Sequence, residues 1–147
     1  RLVLAMHDIG KAIDRATQHI YTQSLIREFW SESPFTDYEL KLVEALLKDD
    51  HLGKFFQGKY DCNMLQEEIK KDAEELQIDA SCLLQLKMVL YQCDIASYTK
   101  DAGGLRYLEH MFVYENNKKT FNEENGLLAM SADYWSRYKQ LKSLIYE

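Results

Sequence analysis

The chain has a single proline and six glycines in 147 residues, and no stretch alternates apolar with polar side chains for long. That scarcity excludes a strand-rich fold built on frequent turns and leaves helical periodicity as the dominant pattern. The three cysteines, Cys62, Cys82 and Cys93, form no CxxC pair and are odd in number. They are expected to be reduced, buried thiols in a cytoplasmic protein rather than a disulfide framework. No apolar run reaches the roughly 18 residues of a membrane span, and no signal-peptide pattern occurs, so no membrane partner is expected. No basic patch offsets the net charge of −6, because Lys70-Lys71 and Lys118-Lys119 are short and flanked by acids. These lysines read as solvated helix faces, which argues against nucleic acid as the main partner. A GxxxxGK[ST] phosphate loop and a GxSxG elbow are both missing, so neither ATP-driven chemistry nor a serine hydrolase is indicated.

What is present is an ordinary apolar and charged content, 46% and 29%. At this length it predicts one all-α domain over residues 1–147, able to bury a core without staples. Arg1 leads straight into the apolar run Leu2-Val3-Leu4-Ala5 without a cap, so the first helix is read as the end of a longer one. The domain is therefore expected to be truncated at its N-terminus. That helix should close near Asp8. A second should run from Asp14 or Ala16 to about Trp30, with Ile20, Leu25, Ile26 and Phe29 facing inward, and stop at Ser33-Pro34.

Thr36 and Glu39 form a capping box for a third helix, whose Leu40, Val43, Leu46 and Leu47 face the core and whose end carries His51. Residues 55–60 read as a loop with an aromatic anchor. A fourth helix, 64–76, has Glu67, Glu68, Lys70, Lys71, Glu74 and Glu75 on its outer face. Asp79 caps a fifth, 80–98, that is apolar nearly all round and so should be central and buried. After Gly103-Gly104 a shorter helix begins at Leu105, residues 115–125 are polar and loop-like, and 131–147 form a final amphipathic helix. The whole reads as a helical bundle.

Two features carry chemistry. Met6-His7-Asp8-Ile9-Gly10-Lys11 places an imidazole beside a carboxylate where an apolar segment ends, a mixture that suits a divalent ion. Asp94 sits in the most apolar helix, within Tyr91-Gln92-Cys93-Asp94-Ile95-Ala96-Ser97. A carboxylate there is costly unless paired or bound to a cation. It could bond a neighbouring helix end or an arginine, but with His7 and Asp8 also lacking a partner, a shared metal is the better account. By contrast, His19 alone reads as a surface histidine, and His51 as a cation favoured at a helix C-terminus. His110, after Glu109, reads as structural.

Taken together, Leu4-Ala5-Met6-His7-Asp8-Ile9-Gly10-Lys11, then His19, then His51, then Cys93-Asp94-Ile95-Ala96-Ser97 resemble the HD superfamily of metal-dependent phosphohydrolases. The resemblance covers roughly two thirds of the chain. It implies an HD-type helical bundle in which His7, Asp8 and Asp94 ligate a divalent metal. It also implies that His19 and His51 hold a second ion or contact phosphate, and that Lys11 sits near the phosphate. The family's first metal-binding histidine precedes this doublet on a helix. The chain starts too late to include one, so it lies upstream or is absent.

The donor set fits Mg²⁺, Mn²⁺, Fe²⁺, Co²⁺, Ni²⁺ or Zn²⁺ without distinguishing them. The expected function is hydrolysis of a nucleotide or related phosphate ester by a metal-activated water, with Lys11, His19 and His51 assisting. The competing expectation is a catalytically silent HD-like module that binds a nucleotide or protein and regulates a neighbouring domain. A third is a plain helical interaction domain using the stripe Tyr134, Trp135 and Tyr138.

Overall fold

The computed structural model describes residues 2–14, 17–97, 111–115, 118–119 and 127–146. Among the described residues, seven α-helices carry the all-α architecture: α1 (Leu2–Met6), α2 (Gln18–Trp30), α3 (Asp37–Leu47), α4 (His51–Phe56), α5 (Cys62–Leu76), α6 (Ala80–Ser97) and α7 (Ala132–Tyr146). A 3-10 turn, Ile9–Ala12, follows α1. Two-residue strands β1 (Tyr114–Glu115) and β2 (Lys118–Lys119) pair antiparallel, with Tyr114 opposite Lys119. That pair lies inside the stretch read from sequence as loop. The expected helix from Leu105 and the histidine His110 lie outside the described residues. Among the described residues, no helix is long and apolar enough to cross a membrane.

Local side-chain chemistry starts α3, α5 and α6, the last through Asp79 accepting from the Ser81 N–H at 2.7 Å. Thr36 Oγ1 accepts from the Glu39 N–H, and Glu39 Oε2 accepts from the Thr36 N–H at 2.8 Å, so two orphan donors of α3 are satisfied reciprocally. Asp61 accepts from the N–H groups of Asn63 and Met64 and starts α5 two residues earlier than its apolar pattern suggested. Gln77 takes a left-handed conformation with φ of 56° and ends α5, while Ile78 N–H returns to the Ala73 carbonyl.

The main core joins α4, α5, α6 and α7 through residues such as Phe55, Phe56, Ile69, Leu83, Met88 and Leu141. Tyr138 is buried, and Tyr134 and Trp135 pack against the same cluster, so the aromatic stripe of α7 is core rather than a free face. A second cluster of Ile26, Trp30 and Val43 packs against Val3 and Met6 of α1 and Leu40 and Leu47 of α3. Gln92 is buried on α6 and clamps residue 128 twice: its amide nitrogen donates to the Leu128 carbonyl at 3.0 Å, and its oxygen accepts from the Leu128 N–H at 2.9 Å.

The structure corrects several expectations. The inward stripe of α2 is Thr22, Ile26 and Trp30, whereas Ile20 and Phe29 are 57% and 54% exposed. Thr22 goes inward because its hydroxyl accepts from the Gly10 N–H at 3.1 Å. Apolar identity on α6 does not mean burial all round. Leu83, Leu84 and Met88 face the core, but Leu86 and Val89 are exposed. Only Cys62 is a buried thiol; Cys82 and Cys93 are exposed, and all three are free. Residues 55 and 56 finish a helix rather than begin a loop.

Gly10 joins the turn after α1 to the start of α2. A Cβ at this position would sit 2.0 Å from the Gln18 carbonyl oxygen and 2.6 Å from Thr22 Oγ1. Gly10→Ala should therefore cost roughly 1–3 kcal/mol of stability by overpacking, read as a lower Tm in calorimetry. An unchanged melt would mean that this contact is not tight. The Glu39 carboxyl lies below the usual glutamate range because the Thr36 N–H and hydroxyl donate to it. A depressed carboxyl contributes stability above its unfolded pKa and loses it as pH falls through its folded one. The Tm gap between wild type and Glu39→Ala should be full at neutral pH and shrink in acid below about pH 4.

Candidate metal centre

α1 ends at Met6, leaving its last carbonyls without intrahelical donors. The His7 ring fills one of these vacancies, its Nδ1–H donating to the Leu4 carbonyl oxygen at 2.7 Å. A carbonyl can only accept, so this bond puts a proton on Nδ1 and turns Nε2 towards the protein interior. There Nε2 lies 3.0 Å from Asp94 Oδ1, 87 residues further along the chain, and 3.4 Å from Asp8 Oδ2. Donor atoms of His7, Asp8 and Asp94 all fall within 4.8 Å of one another. Packing of α1 against both α3 and α6 makes this meeting possible.

The electrostatics of that triangle are informative. Nε2 faces two carboxylate oxygens, and carboxylates are acceptors as well. A proton shared with the carboxylates or a metal ion can occupy the position between them. Metal-bound histidines commonly donate their other ring N–H to a backbone carbonyl, the arrangement made here with Leu4. Lys11 Nζ, one turn on, lies 2.6 Å from Asp8 Oδ2. The three side chains are half-buried, so an ion or small ligand can reach them.

The triangle opens into a cavity of about 630 Å³, a size suited to a small-molecule ligand. His19 is exposed on its wall and does not join the three-donor group. His51 also lines the cavity, but in a second cluster. Its Nδ1 lies 2.9 Å from Glu68 Oε2 and 3.4 Å from Asp49 Oδ1, and its ring stacks on Tyr60 at 4.2 Å. Tyr60 donates its hydroxyl to Glu68, and that bond pushes the phenol up to about 12. His51 is the first residue of α4, not the end of α3, so the C-terminal dipole argument for it is wrong. Glu68, read from sequence as outer face, turns to the cavity instead.

Other charges on the wall were not singled out from the sequence. Loss of surrounding water pushes the Asp50 carboxyl up, Lys54 pulls it back, and the negative Asp94 adds to the rise. Lys87 donates to the Ala45 carbonyl at 2.6 Å, capping the end of α3, and burial pulls its amine below the usual lysine range. Asp72 is buried and held by Lys48 at 3.0 Å. The only signal for this group in the sequence was the acidic pair Asp49-Asp50 ahead of His51. Glu68 and Lys87 lie within patterns that a helical wheel assigns elsewhere.

The chain matches no protein-family model, no curated protein and no solved structure.

Proposed function

We propose that this protein is a metal-dependent phosphohydrolase of HD type acting on a nucleotide or related phosphate ester. The observation that carries the reading is the His7 Nε2 edge, oriented by the Leu4 carbonyl and aimed at carboxylate oxygens of its neighbour Asp8 and of Asp94, 87 residues further along the chain. One imidazole nitrogen and two carboxylates within 4.8 Å suit any of Mg²⁺, Mn²⁺, Fe²⁺, Co²⁺, Ni²⁺ or Zn²⁺. Such an ion supplies Lewis acidity and lowers the pKa of water for attack on phosphorus. The cavity wall supports the same reading, because six carboxylates (Asp8, Asp49, Asp50, Glu68, Asp72 and Asp94) line it beside three lysines, Lys11, Lys54 and Lys87, with Lys48 holding Asp72 from outside the lining. An anionic ester enters such a space only with added positive charge.

The chain's own groups have definable tasks. His7, Asp8 and Asp94 hold the ion. Lys11, beside Asp8, brings a cation to the mouth of the site to offset charge on phosphoryl oxygens. His19 and His51, both on the cavity wall, are placed to donate hydrogen bonds to the phosphate or a proton to the leaving group.

A second reading, the silent module that binds a nucleotide or protein, is favoured by one fact. The ligand groups already satisfy one another, His7 with Asp94 and Asp8 with Lys11, as a metal-free polar cluster would. Metal content separates the two. The hydrolase should purify with, or take up, stoichiometric transition metal, and its Tm should rise with Mn²⁺ by mass action. Alanine at His7, Asp8 or Asp94 should remove that rise and cut turnover of bis(p-nitrophenyl) phosphate at least ~100-fold. Full turnover in Asp94→Ala would end the proposal.

A further inference from the structure

We infer that Tyr91 and Tyr134 form a pair of neutral hydrogen-bond donors that binds an anionic phosphoryl oxygen of a ligand seated beside His7, Asp8 and Asp94. This rests on the hydrolase reading and adds to it the residues that grip the substrate's phosphate. Tyr91 precedes Asp94 by three residues on α6, so the two occupy one face about 4.5 Å apart along the axis. Tyr134 reaches the same cavity from the first turn of α7. Both rings stack nearly parallel on the buried Phe56, Tyr91 at 5.3 Å and 8°, Tyr134 at 5.5 Å and 15°. Three elements thus fix the aromatic bodies and leave the hydroxyls little freedom.

Those hydroxyls have no partner of their own. Neither makes a hydrogen bond among the described residues, and neither oxygen is sealed from solvent. Here both tyrosines line the cavity that also holds the candidate ion site, and neither hydroxyl has a described protein bond that a ligand would have to displace. Their chemistry also suits that cavity. A lysine added among six carboxylates is drawn into ion pairs, as Lys11 is with Asp8, whereas a phenol donates to an anion without being captured. Burial pushes both phenols above their ordinary range, so they stay protonated donors and add no negative charge.

The test uses the Mn²⁺-loaded protein with inorganic phosphate and with bis(p-nitrophenyl) phosphate as probes. Tyr91→Phe and Tyr134→Phe keep the rings on Phe56 and delete only the hydroxyls. Each should leave Mn²⁺ affinity and Tm at the wild-type level and weaken phosphate binding about tenfold, with a matching fall in kcat/KM. In the wild type, phosphate but not chloride should perturb the tyrosine ultraviolet difference spectrum, and the double variant should lose that signal. Phosphate affinity at the wild-type level in the double variant overturns the inference and leaves the metal centre standing. Loss of Mn²⁺ affinity together with phosphate affinity assigns the tyrosines a structural role and overturns it equally. Failure of the wild type to take Mn²⁺ at all removes the hydrolase reading and this inference with it.

Discussion

The structure depends on one uncomfortable contact, an imidazole edge facing two carboxylates. Asp8 and Asp94, two like-charged groups in a half-buried site, converge on one imidazole edge, with Lys11 also against Asp8. The Leu4 carbonyl decides which nitrogen of His7 meets them. It does so because the end of α1 leaves that carbonyl without a donor. The polar triangle is therefore a consequence of where a five-residue helix stops and what it packs against.

The rest of the fold serves to hold that geometry. α1 lies on the small cluster of Ile26, Trp30 and Val43, and α6 is anchored in the larger core by Leu83, Leu84 and Met88. Gly10 lets the turn carrying Asp8 and Lys11 lie directly on the first residues of α2, and the Thr22 hydroxyl ties it there. On the far side of α6, Gln92 fastens residue 128 and so fixes the approach to α7, which supplies Tyr134. Between these supports lies a cavity whose wall mixes apolar side chains such as Leu47, Leu65 and Ile69 with charged ones.

Chemically, the cavity has two poles. One is the His7, Asp8 and Asp94 triangle with Lys11. The other is His51 between Asp49 and Glu68, with Tyr60 stacked on the ring and bonded to Glu68. Tyr91 and Tyr134 lie on the same wall. An excess of carboxylates over lysines, with two phenols beside them, makes an environment that favours cations and admits anions in their company. That balance is the ground on which we propose a metal-assisted reaction on a phosphate ester.

Residue identities along the chain were enough to determine the all-α class, the capping box at Thr36 and Glu39, and most helix limits. Those features depend on neighbours within four residues, where side-chain chemistry acts directly on the backbone. The doublet His7-Asp8 and the costly Asp94 were legible for a similar reason: a charge in an apolar segment stands out locally. What packing alone decided was which face each helix turned to what. The apolar surface of α6 divides among core, cavity and solvent, Glu68 leaves a charged face to meet His51, and Ile20 yields the inward position to Thr22 because Gly10 comes close. Each outcome is set by a partner a dozen or more residues away, and hydrophobic periodicity records only that a side chain is apolar, not what lies opposite it.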